Sequence, residues 1–136
     1  MGKKQSEIKK YSILVAEDDA DLYQPLYEEL TEKGYITNIA TNGNECIQKI
    51  NEFDPDILIL DIKMPLMSGI DVLRKIKKNK NNMYVIVNSV RGLEQEIQIA
   101  KNIGASAYIC KPAPFSKILS EIEKGINIIS NNKKIV

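Results

Sequence analysis

The chain has 136 residues, 43% of them hydrophobic and 27% charged, with a formal net charge of +1. That is one domain of ordinary size with enough apolar material for a core, which excludes wholesale disorder, and a charge too small to point to nucleic acid or an acidic membrane as partner. No apolar run nears the roughly 20 residues needed to cross a bilayer, and the opening "MGKKQSEIKK" lacks the apolar stretch of a signal peptide, so a cytoplasmic location is expected. Histidine is absent, which excludes Ser–His and Cys–His catalytic pairs and His-ligated zinc. Cys46 and Cys110 have no metal-site spacing and read as small buried apolar residues. Met1-Gly2-Lys3-Lys4-Gln5-Ser6 fits the loose N-myristoylation template, although a solvated terminus explains the same residues without a lipid.

Residues 1–10 read as a polar tail, 11–130 as the domain, and 131–136, "NNKKIV", as a frayed tail or the start of a linker. "SILVA" (12–16) is a first strand. "ADLYQPLYEELTEKG" (20–34) sets Leu22, Leu26, Tyr27 and Leu30 at helical spacing before a Gly stop, with Pro25 predicted to kink it. "YITNIA" (35–40) alternates as a strand, and "NECIQKINEF" (44–53) returns to helical spacing until Asp54-Pro55. "DILILD" (56–61) is a continuous apolar run, as expected of a strand covered on both faces. "IDVLRKIKK" (70–78) carries Val72, Leu73 and Ile76 on one helical face, and "NKNN" (79–82) is a loop. "MYVIVNS" (83–89) is a strand, "LEQEIQIAKNIG" (93–104) a helix, and "SAYIC" (106–110) the last strand. "FSKILSEIEKGINII" (115–129) closes the domain as a helix with Ile118, Leu119, Ile122 and Ile126 inward. Strict alternation of doubly apolar strands with helices predicts an α/β fold: a five-stranded parallel sheet with helices on both faces.

In such sheets ligands sit outside the carboxyl ends of the strands, so the residues that end the strands carry the function. Strand one ends in Glu17-Asp18-Asp19, strand three in Asp61, strand four in Asn88-Ser89 and strand five in Lys111 before Pro112. Several carboxylates gathered at one edge repel each other and need a cation. An all-oxygen donor set suits Mg²⁺ or Mn²⁺. Lys111 adds a point charge for a further anion, and the Ser89 hydroxyl adds a donor. That set fits nucleophilic attack by Asp61 on phosphorus to give an acyl phosphate. Asp19 reads as the cap of the first helix.

"ILVAEDD" (13–19), "LDIKMPLMSG" (60–69), "VNSV" (87–90) and "GASAYICKP" (104–112), in this order and spacing, resemble the receiver domain of two-component response regulators, over residues 12 to 128. The resemblance implies a (βα)5 flavodoxin-like fold. It also implies a switch phosphorylated on Asp61 by a histidine kinase or histidine phosphotransfer protein, acting on a downstream protein or an output domain. It assigns Asp18 as a magnesium ligand with Glu17, Asp61 and the Lys63 backbone carbonyl completing the shell. Ser89 and Lys111 address the phosphoryl group. Ser89 and Tyr108 relay its presence to the last two helices and strand five. Such a domain is not a classical enzyme, and it is a monomer or a phosphorylation-dependent dimer.

The sequence departs from the family at three rate-tuning positions. Val90 stands where a small residue is usual, and Lys63 and Arg91 are both cationic, a set expected to slow attack of water on the acyl phosphate. "KPAPF" replaces the commoner "KPF", which displaces the start of the last helix. Met64-Pro65 and Gly69 read as loop chemistry, Gly69 relieving crowding or adopting positive φ. Three rivals remain in view. A haloacid-dehalogenase-like phosphatase needs a second Asp where Lys63 stands. A nucleotide binder needs a glycine-rich phosphate loop that is missing here. A phosphate-independent interaction module of the same fold would not need the intact acidic set.

Overall fold

The computed structural model describes residues 10–79, 82–90 and 94–135. The elements run β1 (Ser12–Ala16), α1 (Ala20–Glu32), β2 (Ile36–Ala40), α2 (Gly43–Phe53), β3 (Ile57–Leu60), α3 (Gly69–Asn79), β4 (Tyr84–Val90), α4 (Glu94–Ile103), β5 (Ala107–Lys111) and α5 (Phe115–Ile135). The strands form one sheet in the order β2-β1-β3-β4-β5, and every neighbouring pair is parallel.

The continuous apolar strands follow from burial on both faces. Leu14, Leu58, Leu60, Val85 and Val87 pack in one core with Cys46 and Ile50 of α2, Val72, Leu73 and Ile76 of α3, and Ile97 of α4. Ile13, Ile57, Ile59, Ile86 and Ile109 point the other way, into a second core with Leu30 of α1 and Ile118 and Ile122 of α5. Each such side chain contributes about 1.5–3 kcal/mol on burial, and a one-residue slip would exchange the two sets. Cys46 is fully buried, and burial pushes its thiol up to about 12, so it behaves as an apolar filler. Cys110 is half-buried.

Several local features refine the sequence-based expectations. The last helix does not stop at 129 but continues to Ile135, because "SNNKKI" contains neither Gly nor Pro to end it. Residues 131–135 are therefore helical and not a frayed tail. Helix α1 continues through Pro25, which is exposed and frees the carbonyl of exposed Asp21 in the first turn. Leu22 of α1 is 47% exposed and stays outside the core, where Leu30 is the fully buried residue of that helix. In the loop after β3 the positive φ falls on Leu66 (72°), not on Gly69. Gly69 answers crowding: a Cβ there would lie 2.3 Å from the Asp61 carbonyl oxygen, while its N–H donates to the Ile62 carbonyl at 2.7 Å. Arg91, Leu93, the 80–81 loop positions and the Gly2 segment lie outside the described residues.

Candidate functional site

The sheet order reverses direction between β1 and β3, so the crevice for a ligand opens where those two strands end. The ladder continues one residue past each strand. The Glu17 N–H donates to the Ala40 carbonyl at 2.9 Å and the Asp61 N–H to the Ala16 carbonyl at 3.0 Å. That pairing holds both backbones in strand geometry up to the carboxylate-bearing residue. It is why a buried apolar run delivers Asp61 to the edge with only 7% of its surface exposed, and Glu17 with 6%.

Glu17, Asp18 and Asp61 each offer a carboxylate oxygen within 4.8 Å of the others, Asp18 being the exposed member. Lys111 reaches over from the end of β5. Its Nζ pairs with Glu17 Oε1 and lies 3.5 Å from Asp61 Oδ2. Burial, and then the Glu17 carboxylate, raise the Asp61 carboxyl to about 6, against the opposing pull of Lys111 and of a hydrogen bond from the Lys63 backbone. The strain of like charges is thus only partly relieved by one ammonium. An oxygen-only donor set that repels itself fits a hard divalent cation, and these residues are able to hold one. Asp19 sits apart from this cluster as the cap of α1, its side chain accepting from the Asp21 N–H at 3.0 Å.

Ser89 is fully buried at the end of β4, paired in register with Cys110, and its Oγ has no hydrogen-bond partner among the described residues. Tyr108, opposite Val87, is half-buried against the α2–α4 core, the side of the sheet to which Ser89 also alternates. Asn88 alternates to the other side. It is buried, and its Oδ1 too is unpaired among the described residues. Val90, opposite Lys111, is 45% exposed. The Lys63 side chain points to solvent.

The structure therefore brings Glu17, Asp18, Asp61 and Lys111 together. It sets Ser89 and Val90 at the same sheet edge on opposite faces, with Tyr108 on β5 two residues before Cys110, the register partner of Ser89. The buried Asn88 had only been noted as a strand end. Its signal in the sequence is a lone amide closing the apolar run "VIV".

The family model for the response regulator receiver domain matches residues 13–123. The chain is similar to the chemotaxis protein CheY of Thermotoga maritima, 35% identical over 113 residues that make up 82% of this chain and 94% of that one. It is also similar to sporulation initiation phosphotransferase F of Bacillus subtilis, 31% identical over 119 residues, 88% and 96% of the two chains. Among solved structures, a CheY-like response regulator receiver domain protein from Methanospirillum hungatei superposes with a TM-score of 0.87 at 27% identity, covering 91% of this chain and 99% of that one.

Proposed function

Because this chain belongs to the response regulator receiver domain family, we propose that it is a phosphorylation-dependent switch of a two-component or phosphorelay system with Asp61 as its acceptor. The observation that carries this reading is the buried Asp61 carboxylate beside Glu17 and Asp18, with the Lys111 ammonium held 3.5 Å from it. An Asp61 oxygen attacks the phosphorus of a phosphohistidine on another protein. The new O–P bond forms as the N–P bond breaks, and the donor imidazole leaves with the bonding pair and takes up a proton. The chain has no histidine, so the donor is a histidine kinase, a histidine phosphotransfer protein or a small phosphodonor.

Lys111 is already poised on the acceptor and turns to a phosphoryl oxygen as negative charge develops there. Glu17, Asp18, Asp61 and the Lys63 backbone carbonyl would hold Mg²⁺ or Mn²⁺, which supplies charge neutralisation for the incoming phosphoryl oxygens. Ser89 Oγ, a donor without a partner among the described residues, moves to the phosphoryl group, and Tyr108 follows it inward to report the state on α4, β5 and α5. A downstream protein or an output domain reads that surface. Val90, Lys63 and Arg91 tune the lifetime of the acyl phosphate.

The test is intact mass after incubation with acetyl phosphate and Mg²⁺. One added phosphoryl group is expected in the wild type and none in Asp61→Asn. No adduct, together with no detectable beryllofluoride complex, would replace this reading with a phosphate-independent interaction module.

A further inference from the structure

A cavity of about 500 Å³ opens between α1 and α5 beside Asp61. That size falls within the range of small-molecule sites. Its walls are apolar: Leu22, Pro25 and Leu26 of α1 face Ile59, Phe115 and Ile118. Leu22 and Val90, 47% and 45% exposed, are two of the large apolar side chains that the fold leaves in solvent, and both lie on this cavity. An exposed apolar pair around a concave, apolar space marks a place where something binds.

Two polar features say what binds. Asn88 lines the cavity and is nine-tenths buried, yet its Oδ1 has no hydrogen-bond partner among the described residues. A buried acceptor left unpaired costs about 1–3 kcal/mol, a penalty that a ligand N–H would remove. The ionisable residues lining the same space are Glu17, Asp21, Glu29 and Asp61 against Lys111, four carboxylates to one ammonium among the described residues. Without a bound metal ion the apolar interior and the excess of carboxylates disfavour an organic anion, and a neutral hydrocarbon gains nothing from the carboxylates.

We propose that this cavity is a binding site for a small organic cation, a protonated amine with an apolar body. The body lies between Leu22, Leu26 and Phe115, an ammonium N–H reaches Asn88 Oδ1, and the carboxylates supply the counter-charge. The proposal stands independently of the phosphorylation reading. Because Asp61 and Lys111 line the same space, an occupant would bear on their chemistry directly.

The test uses three probes that share a phenyl body: phenethylammonium, its N,N,N-trimethyl derivative, and phenylacetate. Amide chemical shifts of the ¹⁵N-labelled full chain are followed without divalent metal, so that the carboxylates keep their charge. Phenethylammonium is expected to give saturable shifts centred on Leu22, Asn88 and Phe115. The trimethyl cation, which keeps the charge but has no N–H, should bind several-fold more weakly, and phenylacetate should not saturate. In Asn88→Leu the two cations should bind alike. Leu22→Trp, a change at an exposed position that fills the mouth, should abolish binding of both. Absence of saturable shifts with phenethylammonium, equal affinity for phenylacetate, or a full response retained in Leu22→Trp would each overturn the proposal.

Discussion

Asp61→Asn should make the protein more stable, and the pH dependence of the gain is fixed by the site. The Asp61 carboxyl is raised from its ordinary 3.8 to about 6 by burial and by Glu17. Each pH unit between those values is worth about 1.4 kcal/mol, so ionising this group costs the fold about 3 kcal/mol as an upper figure. The crevice opens to water beside exposed Asp18, which screens part of that, and about 2 kcal/mol is the working magnitude. The sign follows from the raised value. The folded state holds the proton more tightly than the unfolded chain, so Asp61's contribution is fully present below pH 3.8 and is lost as pH rises through about 6. Replacing it with Asn removes the cost only where the carboxylate is ionised. Thermal melts in EDTA should show Asp61→Asn ahead of wild type by about 8 °C at pH 7.5, using about 4 °C per kcal/mol for a domain of this size, and converging with it near pH 4. Mg²⁺ should narrow the gap at pH 7.5, because a cation that binds the folded site stabilises the wild type by mass action, about 1.4 kcal/mol at ten times its dissociation constant. A variant no more stable than wild type at pH 7.5, or an advantage unchanged at pH 4, would refute the account of a self-repelling site.

Gly69→Ala should destabilise by about 2–3 kcal/mol, read as a lower urea midpoint, because its Cβ would stand 2.3 Å from a backbone oxygen that has no room to retreat. Ser89→Ala should raise resting stability by about 1 kcal/mol, because it deletes a fully buried hydroxyl with no partner among the described residues; a loss in denaturant titration would show that the hydroxyl is satisfied in solution. Val90→Ala should speed decay of the acyl phosphate several-fold, as should Arg91→Glu, both followed by loss of the adduct mass at fixed pH; unchanged rates in both variants would remove steric and charge control of water from the scheme.

Most of the framework was legible because each level of the sequence agreed with the next. "DILILD" is apolar on both alternating sets, which only a strand sandwiched between helix layers tolerates, and Ile57, Leu58, Ile59 and Leu60 are all buried. The convergence of Glu17, Asp18 and Asp61 was legible from the same logic, because parallel strands deliver their ends to one edge. What escaped depends on distances between segments far apart in sequence. Helical spacing counted Leu22 with the core, but nothing local says that α1 and α5 diverge beside it to leave a cavity. The polar run "NNKKIV" read as a tail after 129, but polarity alone does not end a helix, and the backbone goes on turning to Ile135. Gly125 lies inside α5, pressed on the Tyr84 ring, where a Cβ would come within 2.5 Å. Positive φ was weighed for Gly69, yet the chain turns at Leu66, whose side chain is 79% exposed and so meets little in the strained conformation.

The resting site carries two costs at once, and they lie on opposite faces of the sheet. Toward α1 and α5 there is excess negative charge, with one ammonium shared between Glu17 and Asp61. Toward α2–α4 there is the Ser89 hydroxyl, without a partner among the described residues, at about 1–3 kcal/mol. Under the proposed function the two would be relieved together, the Ser89 hydroxyl by donating to a phosphoryl oxygen and the excess charge by a divalent cation, with Lys111 drawn to the phosphoryl oxygens. A conformational equilibrium moves only by the difference in affinity of a ligand for its two states, and a shift from 1:99 to 99:1 takes about 5.5 kcal/mol. No one contact at this site supplies that much. The serine penalty with one charge-assisted hydrogen bond to Ser89 and another to Lys111, each about 1.5–3 kcal/mol, reaches it. On the proposed function, the unsatisfied groups of the resting fold would be what makes the domain switchable, and a sequence that satisfied them at rest would be a more stable protein and a poorer signal.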